Sequence, residues 1–197
     1  EDAYAMKDQL SHVSPRTQNR NLPYTPVPPA DVLKNEPDTD FDLPQNQEWV
    51  RSIFSKWKKD GTEQPEIIPL QIGAETVVCE SRYPYTDRCQ DDEVCICEMS
   101  QADSAQVEKI IEIAEADPAG WRKTTLEERH RIMYEAANRL ADMRGDLIGC
   151  MCAVTGKTVI EGDVEVSEAV DYARFYTTAM KKFAALDDVE MKPKGTI

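Results

Sequence analysis

Residues 119–176, AGWRKTTLEERHRIMYEAANRLADMRGDLIGCMCAVTGKTVIEGDVEVSEAVDYARFY, carry three helix signals and the two breaks that separate them. Thr125-Leu126-Glu127-Glu128 is a capping box, in which the threonine oxygen and the second glutamate satisfy each other's orphan amides. Beyond it Leu126, Met133, Ala136, Ala137, Leu140 and Met143 keep helical spacing. Arg144-Gly145-Asp146 reads as a break, a further helix covers 147–154, and Thr155-Gly156-Lys157-Thr158 ends it. A last helix covers 159–183. The Gly-Lys-Thr step invites a phosphate-loop reading, but that loop needs a glycine at position 151, where Met151 stands. Gly149 lies two residues too early, and the run before Gly156 reads as helix rather than strand. A glycine helix stop followed by a new helix is the better reading.

Upstream, IIPLQIG (67–73), ETVVCES (75–81) and EVCICEMS (93–100) are short, β-branched and bounded by Gly, Pro or Asp. They read as strands, with a hairpin turn at Gly73-Ala74. RYPYTDRCQDD (82–92) is polar and irregular and reads as a loop. Ser100 is placed to cap a helix over 102–116, with Val107, Ile110, Ile111 and Ala114 on one face and Asp117-Pro118 at its end. Strands followed by four helices make residues 67–197 an α/β unit.

Residues 1–66 differ in composition. They hold eight of the twelve prolines, which bars most of the segment from regular helix or inner strand. NLPYTPVPPADVL (21–33) reads as an extended arm whose Leu22, Tyr24 and Val27 dock on another surface. One helix interrupts it over 44–59, started by Asp42 or by the Leu43-Pro44 pair. Trp49, Ile53 and Trp57 form its apolar stripe, with Val50 and Phe54 beside them. Two tryptophans on one face imply burial against the rest of the chain, with a peptide-binding face as the alternative.

Lys and Arg number 23 against 37 Asp and Glu, a formal net charge of -14, which disfavours nucleic acid and anionic membrane surfaces as partners. No apolar run approaches the roughly 20 residues of a membrane span, and EDAYAMKDQL (1–10) lacks the basic and apolar regions of a signal peptide. Only His12 and His130 are available for imidazole chemistry. Cys79, Cys89, Cys95, Cys97, Cys150 and Cys152 contain no Cys-x-x-Cys pair. Cys150 and Cys152 diverge by about 200° on a helix, so no metal is expected. Small buried thiols are the plain reading, and a disulfide within 79–97 is the alternative. GxGxxG, GxSxG, HExxH and EF-hand patterns do not occur. No internal repeat is evident.

The order of IPLQIGAETV (68–77), AGWRKTTLEERHRIMYEAANRL (119–140) and LIGCMCAVTGKTVIEGDVEVSEAVDYARFY (147–176) resembles the opening of the aldehyde dehydrogenase superfamily. The Gly-Trp-Arg step, the Arg-rich helix after it, the Gly-Lys-Thr and the acidic helix with paired aromatics carry that resemblance. EVSEAVDYARFY (165–176) is similar to the glutamate semialdehyde, or 1-pyrroline-5-carboxylate, dehydrogenase branch. NEPDTDFDLPQNQEWV (35–50) resembles the connector of the bifunctional proline utilization A family, where a flavin-dependent proline dehydrogenase barrel precedes the aldehyde dehydrogenase.

The resemblance implies the N-terminal part of an aldehyde dehydrogenase NAD-binding domain (67–197) preceded by a connector arm (1–66). It implies a parent protein, bacterial and cytoplasmic, that oxidises proline with FAD and then glutamate semialdehyde with NAD. A cysteine thiolate attacks the aldehyde, hydride passes to NAD and water releases glutamate. In the family the nucleophile, its base and the NAD contacts lie downstream of MKPKGTI (191–197), so no catalytic or cofactor residue is expected in this segment. Its partners are then the rest of the same polypeptide, further copies and a small-molecule substrate. Glu165 is the one substrate-entrance candidate, on the helix the family places along the aldehyde entrance, where an acid would orient the ammonium group. A solvated or helix-paired glutamate is its alternative, and Tyr172 and Tyr176 are read as packing. The competing reading of the whole is a non-catalytic interaction or oligomerisation module.

Overall fold

The structure is a computed structural model in which residues 16–90, 94–188, 190–192, 194 and 195 are described. The start of the chain, where a signal peptide was sought, lies outside them.

Proline punctuates the strand layer. Pro69 lacks a backbone donor, and it divides the predicted 67–73 strand into β1 (Glu66–Ile68) and β2 (Leu70–Ile72). β2 pairs antiparallel with β3 (Glu75–Val77) through the expected turn, where Gly73 has φ +60°. β1 instead pairs in parallel with β5 (Cys95–Ser100), Ile67 opposite Glu98. The predicted loop 82–92 is corrected in part: Arg82–Thr86 is β4, antiparallel to β5, with Pro84 opposite Glu98. The sheet order β1-β5-β4 leaves β4 on an edge, where a missing N–H costs no ladder bond. Residues 87–90 are irregular, as expected.

The helices follow their caps. α1 (Pro44–Trp57) starts with Pro44 in the first turn and no side-chain cap, so the Leu43-Pro44 start holds and the Asp42 one does not. α2 (Ser104–Ala116) is capped by Asp103 and Gln106, not by Ser100. Ser100 is buried at the end of β5, where its Oγ accepts from the Cys79 amide at 3.2 Å. A 3-10 turn covers Trp121–Lys123, and α3 (Leu126–Asp142) opens on the Thr125–Glu128 capping box. α4 is Arg144–Thr155, so Arg144-Gly145-Asp146 is the first turn of a helix and the break is at Met143. Gly156 ends α4 at φ +72°, and α5 (Val159–Ala184) follows the Thr158–Glu161 capping box.

The core lies among α3, α4 and α5, and its buried members are Ala137, Ala141, Ile148, Cys152, Val166 and Val170. α1 packs on α4 as its stripe implied, with Ile53 buried and Phe54 half exposed. Glycines set that approach. A Cβ on Gly149 would lie 2.2 Å from Trp57 Cδ1, so the indole occupies the space of the missing side chain. Tyr24 packs against the core while Leu22 is 65% exposed, so the arm docks through the first and not the second. All six thiols are free. Cys152 is buried, Cys79, Cys95, Cys97 and Cys150 are half-buried, and Cys89 is exposed. Uniform thiol burial is therefore corrected: Cys89 sits in the loop after edge strand β4, open to solvent.

Candidate functional site

α5 has two faces, and its charged residues divide between them. At about 100° per residue, Asp163, Asp171, Arg174, Thr178 and Lys181 fall within one sector. The arm lies along that sector. Asp163 accepts from the Thr39 amide and hydroxyl, both at 2.6 Å. Asp171 accepts from the Glu36 amide at 2.7 Å and from Asn35 Nδ2 at 2.6 Å. Thr178 donates to the Ala30 carbonyl at 3.5 Å, and Lys181 pairs with Asp31 at 2.7 Å.

Between these contacts sits a buried ion quartet. Arg174 donates to Glu36 at 3.0 Å and to the Tyr24 hydroxyl at 2.9 Å. Arg144 donates to Asp163 Oδ1 at 2.8 Å and stands 3.5 Å from the other Glu36 oxygen. The four charged side chains are at most 4% exposed. Two cations and two anions cancel, which makes burial of all four tolerable, while loss of one leaves an unpaired charge in low dielectric. This cluster is not apparent from the linear order of the residues. Its signal was present: Asp163 and Arg174 occupy the same helical face as the core residues Val166 and Val170.

The opposite face of α5 is open. Glu165, Tyr172 and Tyr176 share a sector roughly 180° from the arm contacts. Tyr172 and Tyr176 are 55% and 62% exposed with ring centroids 5.9 Å apart. They are not packed into the core of this chain: the two rings lean on each other at 31°, and Phe175 and Phe183 beside them are exposed as well. Glu165 takes both of its oxygens to Lys157 Nζ at 2.5 Å, a partly exposed pair. The candidate is thus held by a helix-start lysine at the edge of an aromatic face.

The same pairing bears on nucleotide binding. Gly156 and Thr158 serve as a helix stop and a helix cap, and Lys157 is committed to Glu165. A phosphate cradle is therefore absent from this step. Burial raises the pKa of Cys97, Cys150 and Cys152, and the exposed Cys89 donates to the Cys152 carbonyl at 3.1 Å. Among the described residues no three His, Cys, Asp or Glu side chains converge as a metal site, and no helix is long and apolar enough to cross a membrane.

The aldehyde dehydrogenase family pattern matches residues 78–196. The chain is 29% identical over 163 residues to a 1-pyrroline-5-carboxylate dehydrogenase of Geobacillus sp. (strain WCH70), a match covering 83% of this chain and 31% of the relative. The chain thus spans about a third of the length of the curated relatives it matches. In fold it is similar to 1-pyrroline-5-carboxylate dehydrogenase from Thermus with bound NAD, at a TM-score of 0.72 and 22% identity, over 82% of this chain and 30% of that one. It is also similar to proline utilization A from Bdellovibrio bacteriovorus, at a TM-score of 0.71 and 21% identity, over 81% of this chain and 16% of that one. With short strands and several helices matched in fold, and more than half its length matched in sequence, the chain belongs to the aldehyde dehydrogenase family.

Proposed function

We propose that this chain is the connector arm and the first scaffold of the coenzyme domain of an NAD-dependent glutamate semialdehyde (1-pyrroline-5-carboxylate) dehydrogenase. In this reading the catalytic cysteine and the NAD contacts belong to a longer polypeptide, and an FAD-dependent proline dehydrogenase precedes the arm. Further copies complete a cytoplasmic oligomer. The segment itself binds no cofactor, and its one substrate-facing group is Glu165. The observation that carries the reading is the reach of the likeness. The 163 residues matched to the Geobacillus dehydrogenase are more than residues 78–196 can hold, so the likeness extends into the arm. The arm is also the part of the fold that clamps α5.

A second reading, a non-catalytic interaction module, draws on the exposed apolar residues of α2 and α5, among them Val107, Ile111, Tyr172 and Phe175. One experiment separates the two. The native gene product is sized by intact mass and assayed for NAD reduction with 1-pyrroline-5-carboxylate. A product several times the 22.3 kDa of this segment that reduces NAD supports the dehydrogenase. An inactive product of the segment's own size overturns it in favour of the module.

A further inference from the structure

We infer that the arm segment Ala30–Thr39 is a positioning strap for α5, and that it sets where Glu165 stands relative to the aldehyde. The inference rests on the proposed dehydrogenase reading.

The geometry is that of two elements running antiparallel in step. Thr39 binds Asp163, Asn35 and Glu36 bind Asp171, Glu36 binds Arg174, and Asp31 binds Lys181. Along the helix, Asp163 to Lys181 spans about 27 Å at 1.5 Å per residue. Along the strap, Asp31 to Thr39 spans about 25 Å at the 3.1 Å rise of a proline-rich extended chain. The strap therefore grips α5 over most of its length without slack. Pro37, next to Glu36, keeps that stretch extended.

Rotation about the helix axis is also fixed. All the gripped residues fall in one sector of α5, and Glu165, Tyr172 and Tyr176 fall in the sector opposite. None of the three touches the strap, so it acts on them only through the helix. A roll of α5 would move them together, and a misplacement near 1 Å at a reacting group is costly in rate or binding. Glu36 is the keystone, because it bonds to Arg174 of α5 and faces Arg144 of α4, tying the strap to both helices.

The test uses the full-length gene product. Asn35→Ala removes the 2.6 Å bond to Asp171 at an exposed edge and leaves the buried quartet intact, so it folds even where Glu36→Gln does not. The expected result is a KM for 1-pyrroline-5-carboxylate raised roughly threefold to tenfold, with kcat and the KM for NAD within about twofold of wild type. Asn35→Asp, which brings a like charge to Asp171, is expected to raise the same KM at least as far. Unchanged KM values in both variants, with thermal stability alone reduced, would make the strap a purely structural brace and overturn the inference. A wild-type product that fails to reduce NAD overturns the dehydrogenase reading first and this inference with it.

Discussion

Glu36 and Arg174, 138 residues apart in sequence, form a 3.0 Å ion pair with both side chains almost wholly out of water. The pair closes the arm over α5, and Arg144 stands on the other carboxylate oxygen. Removing the carboxylate strands the Arg174 guanidinium in low dielectric, while Arg144 keeps Asp163. Glu36→Ala is therefore expected to destabilise the fold by about 3–5 kcal/mol, measured by denaturant unfolding of the full-length product. Replacing both partners with apolar residues of similar volume, as in Glu36→Met with Arg174→Met, should cost less than the single change, since no lone charge remains on that side. A single variant that loses under 1 kcal/mol would show that water reaches the cluster.

The elements that sequence alone revealed are those whose chemistry is local. The Thr125–Glu128 capping box lies within one helical turn, the Gly156 stop needs only one left-handed residue, and the Gly73 turn needs only its neighbours. What stayed hidden depends on partners far along the chain. β4 exists because β5 accepts it as an edge, which its own Pro84 and charges conceal. Arg144 looks like a helix break until Asp163 and Glu36 are brought to it. Glu165 was legible as a candidate through its neighbours in the resemblance, whereas its pairing with Lys157 depends on how α5 leaves the Gly156 turn.

Two glycines on α4 give opposite expectations. A methyl group at Gly149 collides with the Trp57 indole at 2.2–2.5 Å, so the helix pair must separate. Gly149→Ala should cost about 1–3 kcal/mol and shift the tryptophan emission as α1 lifts. Gly145 has only ordinary contacts, at 3.5 Å to Trp49 and Ile53, and is in the first turn of α4. Gly145→Ala should be neutral or stabilising by up to about 1 kcal/mol, because alanine is the better helix former. Paired thermal melts read both signs in one experiment.

His130 supplies a pH dependence. It is 3% exposed and packs on Tyr134 at 4.7 Å, with the Ala30 backbone beside the ring. Burial is the largest cause pushing its pKa down, and Lys181 of α5 adds to it; Glu127 of α3, Asp31 of the arm and the Ala30 backbone oppose. The folded state then holds the imidazole neutral while the unfolded chain binds a proton near pH 6.5. Its contribution is fully present above that pH and is lost progressively as pH falls below 6.5 toward the lower folded value. The melting temperature of wild type relative to His130→Phe should therefore fall between pH 7.5 and 5.5. A difference that stays flat over that range would place the ring in contact with water.

The thiols should react in the order of their exposure. Cys89 is open to solvent, whereas burial protects Cys152 and raises its pKa, so less of it is thiolate at neutral pH. Under native conditions a maleimide probe read by peptide mass should label Cys89 first and Cys152 last, with all six labelled in denaturant. Early labelling of Cys152 would show that α4 separates from the core on the timescale of the reaction.

The last expectation concerns residues 1–197 produced alone. α2 buries none of its residues, and Val107, Ile110 and Ile111 on it are 38–47% exposed. α5 adds Tyr172, Phe175, Tyr176 and Phe183 on one open face. A soluble monomer seldom leaves more than a few hundred Å2 of contiguous apolar surface bare, and clustered exposed side chains of this kind favour association. The net charge of -14 slows aggregation without covering them. The isolated segment should therefore associate or bind a hydrophobic dye, and light scattering after size exclusion should give a mass above 22.3 kDa. A monodisperse monomer with a sharp two-state melt would show that these faces are stable in water. The arm and α3–α5 would then be a complete folding unit, held by the Glu36 quartet without further chain.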